Sequence, residues 1–231
     1  VGAGARTTGA PGEGGWAVSY SDRGHAPMAG IVGYGLVDSP QGGSSTTTVV
    51  YAWQRAAADK ARYGIVAANC SMSGNPDPRG ADQQALDAAA LNADILPVVA
   101  AGNTVNTYTS QAAVNGLAVG AVAATTKAVA SFSSRGPIYG DSGRFYPDIA
   151  ACGVDTVMPV INKENAYTRG SGTSMASPMV AGAATLFRSI RTTATALETK
   201  AALLAATEDI AARNPGLDRN AFGLGFLRDD Q

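Results

Sequence analysis

The sequence predicts an α/β protein built as a three-layer, doubly wound, mostly parallel sheet with helices on both faces. Three observations carry that prediction. Stretches with helical spacing alternate with compact apolar runs at residues 65–70, 95–101 and 117–123, and such runs belong to strands covered on both faces. Their order (helix, strand, helix, strand, strand) is that of βαβ units. A composition with 28 Gly, abundant Ala and only 6% aromatic residues supplies small side chains that let helices lie close against strands.

Residues 1–24 are Gly-rich and polar, show no apolar period, and begin without Met or an apolar leader-like run, which reads as a processed or trimmed start. Apolar and Ala positions recur at helical spacing over 48–63, and Gly64 stands where a helix stop is expected. A strand over 65–70 follows, then an Ala- and Leu-rich helix over 82–92, then the strands at 95–101 and 117–123. The longest helical stretch covers 174–190, with Ser177-Pro178 assigned to its first turn, where a missing N–H costs nothing. A last helix over 197–212 precedes a Gly-punctuated tail. No repeat, linker or composition shift divides the chain, so residues 1–231 read as one domain.

A net charge of −1 with 15% charged residues gives no basic field for a phosphate backbone, so nucleic acid is not an expected partner. No apolar run approaches the ~20 residues of a membrane helix, so no span is expected. Hydrophobic content of 45% argues against disorder across most of the chain. Cys70 and Cys152 are too few for a disulfide framework and sit in apolar segments, where they read as buried free thiols. His25 is the single histidine, so no His/Cys zinc site is expected and no metal ligands are assigned. A Gly-x-Ser-x-Gly elbow is absent, which leaves an α/β-hydrolase esterase without support, and Gly2-Ala3-Gly4 lacks the preceding strand that a nucleotide-binding turn needs.

Chemistry concentrates in a few segments. Ser174, in Gly172-Thr173-Ser174-Met175-Ala176-Ser177-Pro178, follows a Gly turn at the start of a helix. A hydroxyl there faces solvent, and the free N–H groups of the first turn favour a developing negative charge, although a Ser in that place also serves as a plain N-cap. Asn103 closes the strand segment Val98-Val99-Ala100-Ala101-Gly102-Asn103, where Asn is otherwise a common loop former. Asn69-Cys70-Ser71-Met72-Ser73-Gly74 is a short strand running into a turn.

Taken in order, these segments resemble those of the subtilisin-like serine peptidases, the subtilases. Ala130-Ser131-Phe132-Ser133-Ser134-Arg135-Gly136-Pro137 fits as well, as do Pro147-Asp148-Ile149-Ala150-Ala151-Cys152-Gly153, read as a loop ahead of the Ser motif, and Gly223-Leu224-Gly225 as a closing segment. The likeness extends over roughly residues 20–228. It implies a subtilisin-like fold and a serine endopeptidase acting on polypeptides, with Ser174 as nucleophile and Asn103 as side-chain donor of the oxyanion hole. It also implies a substrate strand of Ser71, Met72, Ser73 and Gly74, with Ala101 and Gly102 completing a cleft open to medium or large apolar groups. No cofactor is implied. Structural calcium is common among such proteins, but no acid-rich loop with a ligand pattern stands out here. A secreted or extracellular location is expected.

The likeness weakens at the base and its carboxylate. The family's His-Gly-Thr-His-Val-Ala-Gly corresponds to Gly24-His25-Ala26-Pro27-Met28-Ala29-Gly30, in which Pro27 interrupts the pattern and His25 is the one base available. Residues 1–21 hold no Asp; Glu13 reads as part of a surface turn, and Asp22 as part of the approach to the His segment. Two expectations follow. Either a separate N-terminal segment or second chain supplies the strand that carries the Asp, or the domain is a degenerate pseudopeptidase that binds proteins or serves structurally.

Overall fold

Leu96, Val98, Leu117, Val119 and Ile149 point to one face of a central sheet, while Val99 and Ala118 point to the other, and all are buried. Burial on both faces is what the continuous apolar runs predict. The computed structural model describes residues 24–36, 44–72, 74–105, 111–138, 143–160, 163 and 166–228. The chain runs through α1 (Thr46–Tyr63), β1 (Ala67–Cys70), α2 (Ala81–Asn92), β2 (Leu96–Ala100) and β3 (Leu117–Val122). It continues through β4 (Ile149–Cys152), β5 (Thr156–Pro159), β6 (Tyr167–Gly170), α3 (Thr173–Ile190) and α4 (Ala196–Ala205). β7 (Thr207–Glu208), a 3-10 turn (Ala211–Arg213), α5 (Arg219–Phe222) and β8 (Phe226–Leu227) complete it.

The sheet order is β1-β2-β3-β4-β8-β7. Neighbours from β1 through β4 to β8 are parallel, and β7 closes the far side antiparallel to β8. The helix α3 packs across β1, β2, β3 and β4, burying Ala176, Val180, Ala181 and Ala184 on the sheet. On the opposite face Trp53 of α1 and Leu86 and Ala89 of α2 cover Val99 and Ala118. Helices therefore lie on both faces, and the small side chains of α3 set its close approach.

Local signals explain most boundaries. Ser45 caps α1 by accepting the Thr48 N–H at 3.1 Å, and Gly64, at φ 65°, returns its N–H to Lys60 O. Thr195 and Glu198 form a reciprocal capping box at the start of α4. Three expectations need correction. The helix expected over 197–212 ends at Ala205, because Thr207 and Glu208 pair with Leu227 and Phe226 and tertiary pairing overrides helix propensity. The segment read as a loop before the Ser motif holds β4, an interior strand between β3 and β8. Pro178 falls in the second turn of α3 rather than the first, since the helix begins at Thr173. The β5–β6 hairpin was not anticipated at all.

Cys70 and Cys152 are free, Cys70 buried and Cys152 half-buried. Among the described residues no group of three His, Cys, Asp or Glu could hold a metal ion, and no helix is long and apolar enough to cross a membrane.

Candidate active site

The carboxyl ends of β1 and β2 and the amino end of α3 converge. Gly172 precedes α3 and donates its N–H to Gly153 O at 2.8 Å, which holds the first turn of the helix beside the end of β4. Thr173, wholly buried, donates to Asn103 Oδ1 twice, from its backbone N at 2.9 Å and from Oγ1 at 3.0 Å. Thr173 Oγ1 in turn accepts the Gly102 N–H at 3.0 Å. Two donors on one atom identify that atom as the amide oxygen, so Asn103 Nδ2 faces the open side.

A side chain at Gly172 would place its Cβ 3.5 Å from Asn103 Nδ2 and 3.7 Å from the Ser174 backbone N. Met175 Sδ is nearer still, at 3.3 Å, so a side chain at residue 172 would crowd the space beside both Asn103 Nδ2 and the Ser174 N–H. The Ser174 N–H belongs to the first helical turn, whose amides have no intrahelical acceptor.

The hydroxyl of Ser174 donates to Ser71 O at 3.4 Å. Ser71 answers with its own hydroxyl, Oγ donating to Ser174 O at 3.2 Å. Pro178 explains this contact: Ser174 O is the carbonyl that a residue 178 N–H would engage in a regular α-helix, proline has none, and Ser71 takes its place. Ser71 Oγ also accepts from Asn69 Nδ2 at 3.0 Å and lies 3.0 Å from the buried Ser177 Oγ. Thr173 and Ser177 escape notice in the sequence because their partners are far away in the chain. Beside them, burial pushes the Cys70 thiol above its ordinary range, which keeps it a poor nucleophile.

The structure brings together Ser174, Asn103, Gly102 and Ser71, with Met72 and Gly74 following Ser71 against Gln111. Ala101, expected to line the cleft, is instead fully buried in the core beside Val99, its carbonyl accepting from the Tyr146 hydroxyl at 3.0 Å. His25 stands apart. Its Cβ lies 2.7 Å from the position a Cβ would take at Gly182, eight residues beyond Ser174 on α3. At 1.5 Å per residue that is about 12 Å along the helix, more than an imidazole side chain spans. Ser73, Glu13 and Asp22 lie outside the described residues.

A model of the Subtilase family, peptidase S8, matches residues 3–225. The chain belongs to the subtilase family. The subtilase PopC of Myxococcus xanthus, described as a subtilisin-like protease, is 40% identical over 143 residues, covering 60% of this chain and 29% of PopC. The minor extracellular protease Vpr of Bacillus subtilis is 41% identical over 80 residues, 33% of this chain and 10% of Vpr. The chain therefore spans well under half of either relative. Among solved structures, the S41 psychrophilic protease superposes with a TM-score of 0.70 at 26% identity, over 84% of this chain and 66% of that one. Subtilases are a serine-peptidase family, and the subtilisin-like α/β fold expected of a member is the fold observed.

Proposed function

We propose that the cleft is a serine endopeptidase site. The observation that carries this reading is that Thr173, the residue before Ser174, holds the Asn103 amide by its oxygen, which leaves Asn103 Nδ2 as a donor at the N-terminal turn of α3 that presents Ser174. A scissile carbonyl oxygen held between Asn103 Nδ2 and the Ser174 N–H would meet two donors as its charge develops. Ser174 Oγ attacks the carbonyl carbon and its proton passes to a base; collapse of the tetrahedral adduct expels the amine, which leaves with that proton, and water then hydrolyses the acyl-enzyme. The substrate backbone lies along residues 71–74, with Gly102 behind it. These steps use protein groups alone and call for no cofactor.

His25 is assigned as the base of the assembled cleft. The segment that carries it crosses α3 at Gly182, and it has to move toward the N-terminus of α3 for the ring to reach Ser174. Among the described residues no strand pairs with the outer edge of β1, which borders a groove of about 830 Å³ lined by Ile31, Val32, Trp53, Ala68 and Ala181. A strand from a separate polypeptide, adding to that edge and bringing a carboxylate, would both fill the groove and orient His25. The extracellular description of Vpr supports a secreted location. A second reading, a pseudopeptidase that binds polypeptides without cleaving them, is favoured by the distance of His25 from Ser174.

A fluorophosphonate probe separates the two. Covalent labelling that maps to Ser174 and vanishes in Ser174→Ala supports the peptidase. Folded protein that never labels, alone or with a co-purified second polypeptide, supports the binding module.

A further inference from the structure

The wall of the cleft is held from behind by a buried amide that the proposed chemistry does not use. In β1 the carbonyls alternate between the two edges of the strand. Val66 O faces β2, where it accepts the Leu96 N–H at 3.0 Å, so the carbonyls of residues 68, 70 and 72 face the same way while the chain stays extended. β2 ends at Ala100, and among the described residues no strand continues that ladder beyond Cys70. Gln111 does so instead: its Nε2 donates to Met72 O at 2.8 Å and to Cys70 O at 3.3 Å. Gln111 is 2% exposed, and a side-chain amide buried to that degree is costly unless it is bonded.

Alternation then turns the Ser71 carbonyl to the opposite edge, and that is where it meets the Ser174 hydroxyl. The support extends further back. Gln83, fully buried, accepts the Ala112 and Ala113 N–H groups on Oε1 at 2.8 and 2.9 Å and donates to Asp82 Oδ2 at 2.9 Å. Asp82 Oδ2 also accepts the Asn75 N–H at 3.0 Å. The segment is thus fixed at 70 and 72 by Gln111 and at 75 by Asp82. Gly74 lies directly on the clamp, since a Cβ there would come within 2.5 Å of Gln111 Cγ.

We infer that Gln111 is a positioning residue of the cleft: it stands in for a strand neighbour, holds the Cys70 and Met72 carbonyls inward, and so turns the backbone of residues 71–72 toward a bound peptide. The inference rests on the cleft being a peptide site and is independent of whether Ser174 reacts. Gln111→Met preserves length and apolar volume but removes both donors, leaving two buried carbonyls unpaired.

The affinity of a fluorescein-labelled Ala-Ala-Ala-Phe peptide, read by anisotropy on the uncleavable Ser174→Ala protein, tests it. Adding Gln111→Met is expected to weaken binding about tenfold. In protein with Ser174 intact, labelling by a small fluorophosphonate without a peptide portion should change by less than about twofold, because that probe does not use the wall. Gly74→Ala, which pushes Gln111 aside from the other direction, should weaken peptide binding likewise and supplies the test if Gln111→Met does not fold. Unchanged peptide affinity overturns the inference, as does absence of peptide binding to Ser174→Ala protein, or affinity and labelling falling together with the melting temperature. Failure of the parent chain to label at all sinks the nucleophile reading and leaves the affinity comparison standing.

Discussion

At the scale of single residues, the orientation of Asn103 is set by Thr173, whose two donors claim the amide oxygen and turn the nitrogen outward. Removing that nitrogen with Asn103→Ala should slow labelling of Ser174 by the equivalent of about 3 kcal/mol, the scale known for an oxyanion donor of this kind. Thr173→Val keeps the shape but deletes one of the two donors and the acceptor of the Gly102 N–H, so it should slow labelling about tenfold while Asn103 remains in place. Equal labelling rates in parent and both variants would show that neither group faces the reacting oxygen. Ser174 and Asn103 stand out in the sequence through the resemblance of their contiguous motifs to subtilase segments; the local form alone, a Ser before a helix or an Asn after an apolar strand, is equally that of an N-cap or a loop former. Thr173 and Ser177 stand in the same motif, yet their work depends on Asn103 and Ser71, partners that only folding brings near. Gln111 had no local signal at all, since its value comes from the place where β2 stops.

Elements were legible where burial and local caps agree. The runs that became β2 and β3 are buried along their whole length, and such runs leave little choice of structure. β7 and β8 comprise two residues each, too short to carry a period, and they exist because they pair with each other and with Ala150 of β4. The same pairing stops α4 at Ala205, within a sequence that would otherwise continue as helix. What fixes the start of α4 is local: Thr195 Oγ1 accepts the Glu198 N–H at 3.2 Å, and Glu198 returns a carboxylate oxygen to the Thr195 N–H at 2.7 Å. Thr195→Ala should therefore cost about 1 kcal/mol in urea unfolding, with the slope unchanged. A loss well below that would mean that the first turn of α4 is held by its packing against α3 and by the bond from the Ala196 N–H to Asp94 rather than by the capping box.

Across the whole molecule, the ends of four helices meet at Asp94, a residue that no motif singles out. Its carboxylate accepts from Lys60 of α1 at 2.9 Å, from both terminal nitrogens of Arg188 of α3 at 2.8 and 3.2 Å, and from the first N–H of α4, just beyond the end of α2. Burial raises its pKa, but the bonds from Arg188, Lys60 and the Ala196 N–H overcome that effect and bring it from 3.8 to about 2. The sign follows from the direction. A carboxyl whose pKa is lower in the folded state stabilises the fold above pH 3.8, and that contribution disappears as pH falls through 2. Because the Asp94 side chain is 39% exposed, solvent screening reduces the titrating part to about 1 kcal/mol. Asp94→Asn cannot titrate and leaves the Arg188 side chain, only 7% exposed, without its counter-charge, so at neutral pH it should lower stability by about 2 kcal/mol. The measurement is the gap in unfolding free energy between parent and Asp94→Asn across a pH series. It should be constant above about pH 5 and narrow by about 1 kcal/mol on the way to pH 2. A gap that stays constant throughout the acid range would show that the carboxylate's charge is not what ties the four helix ends together.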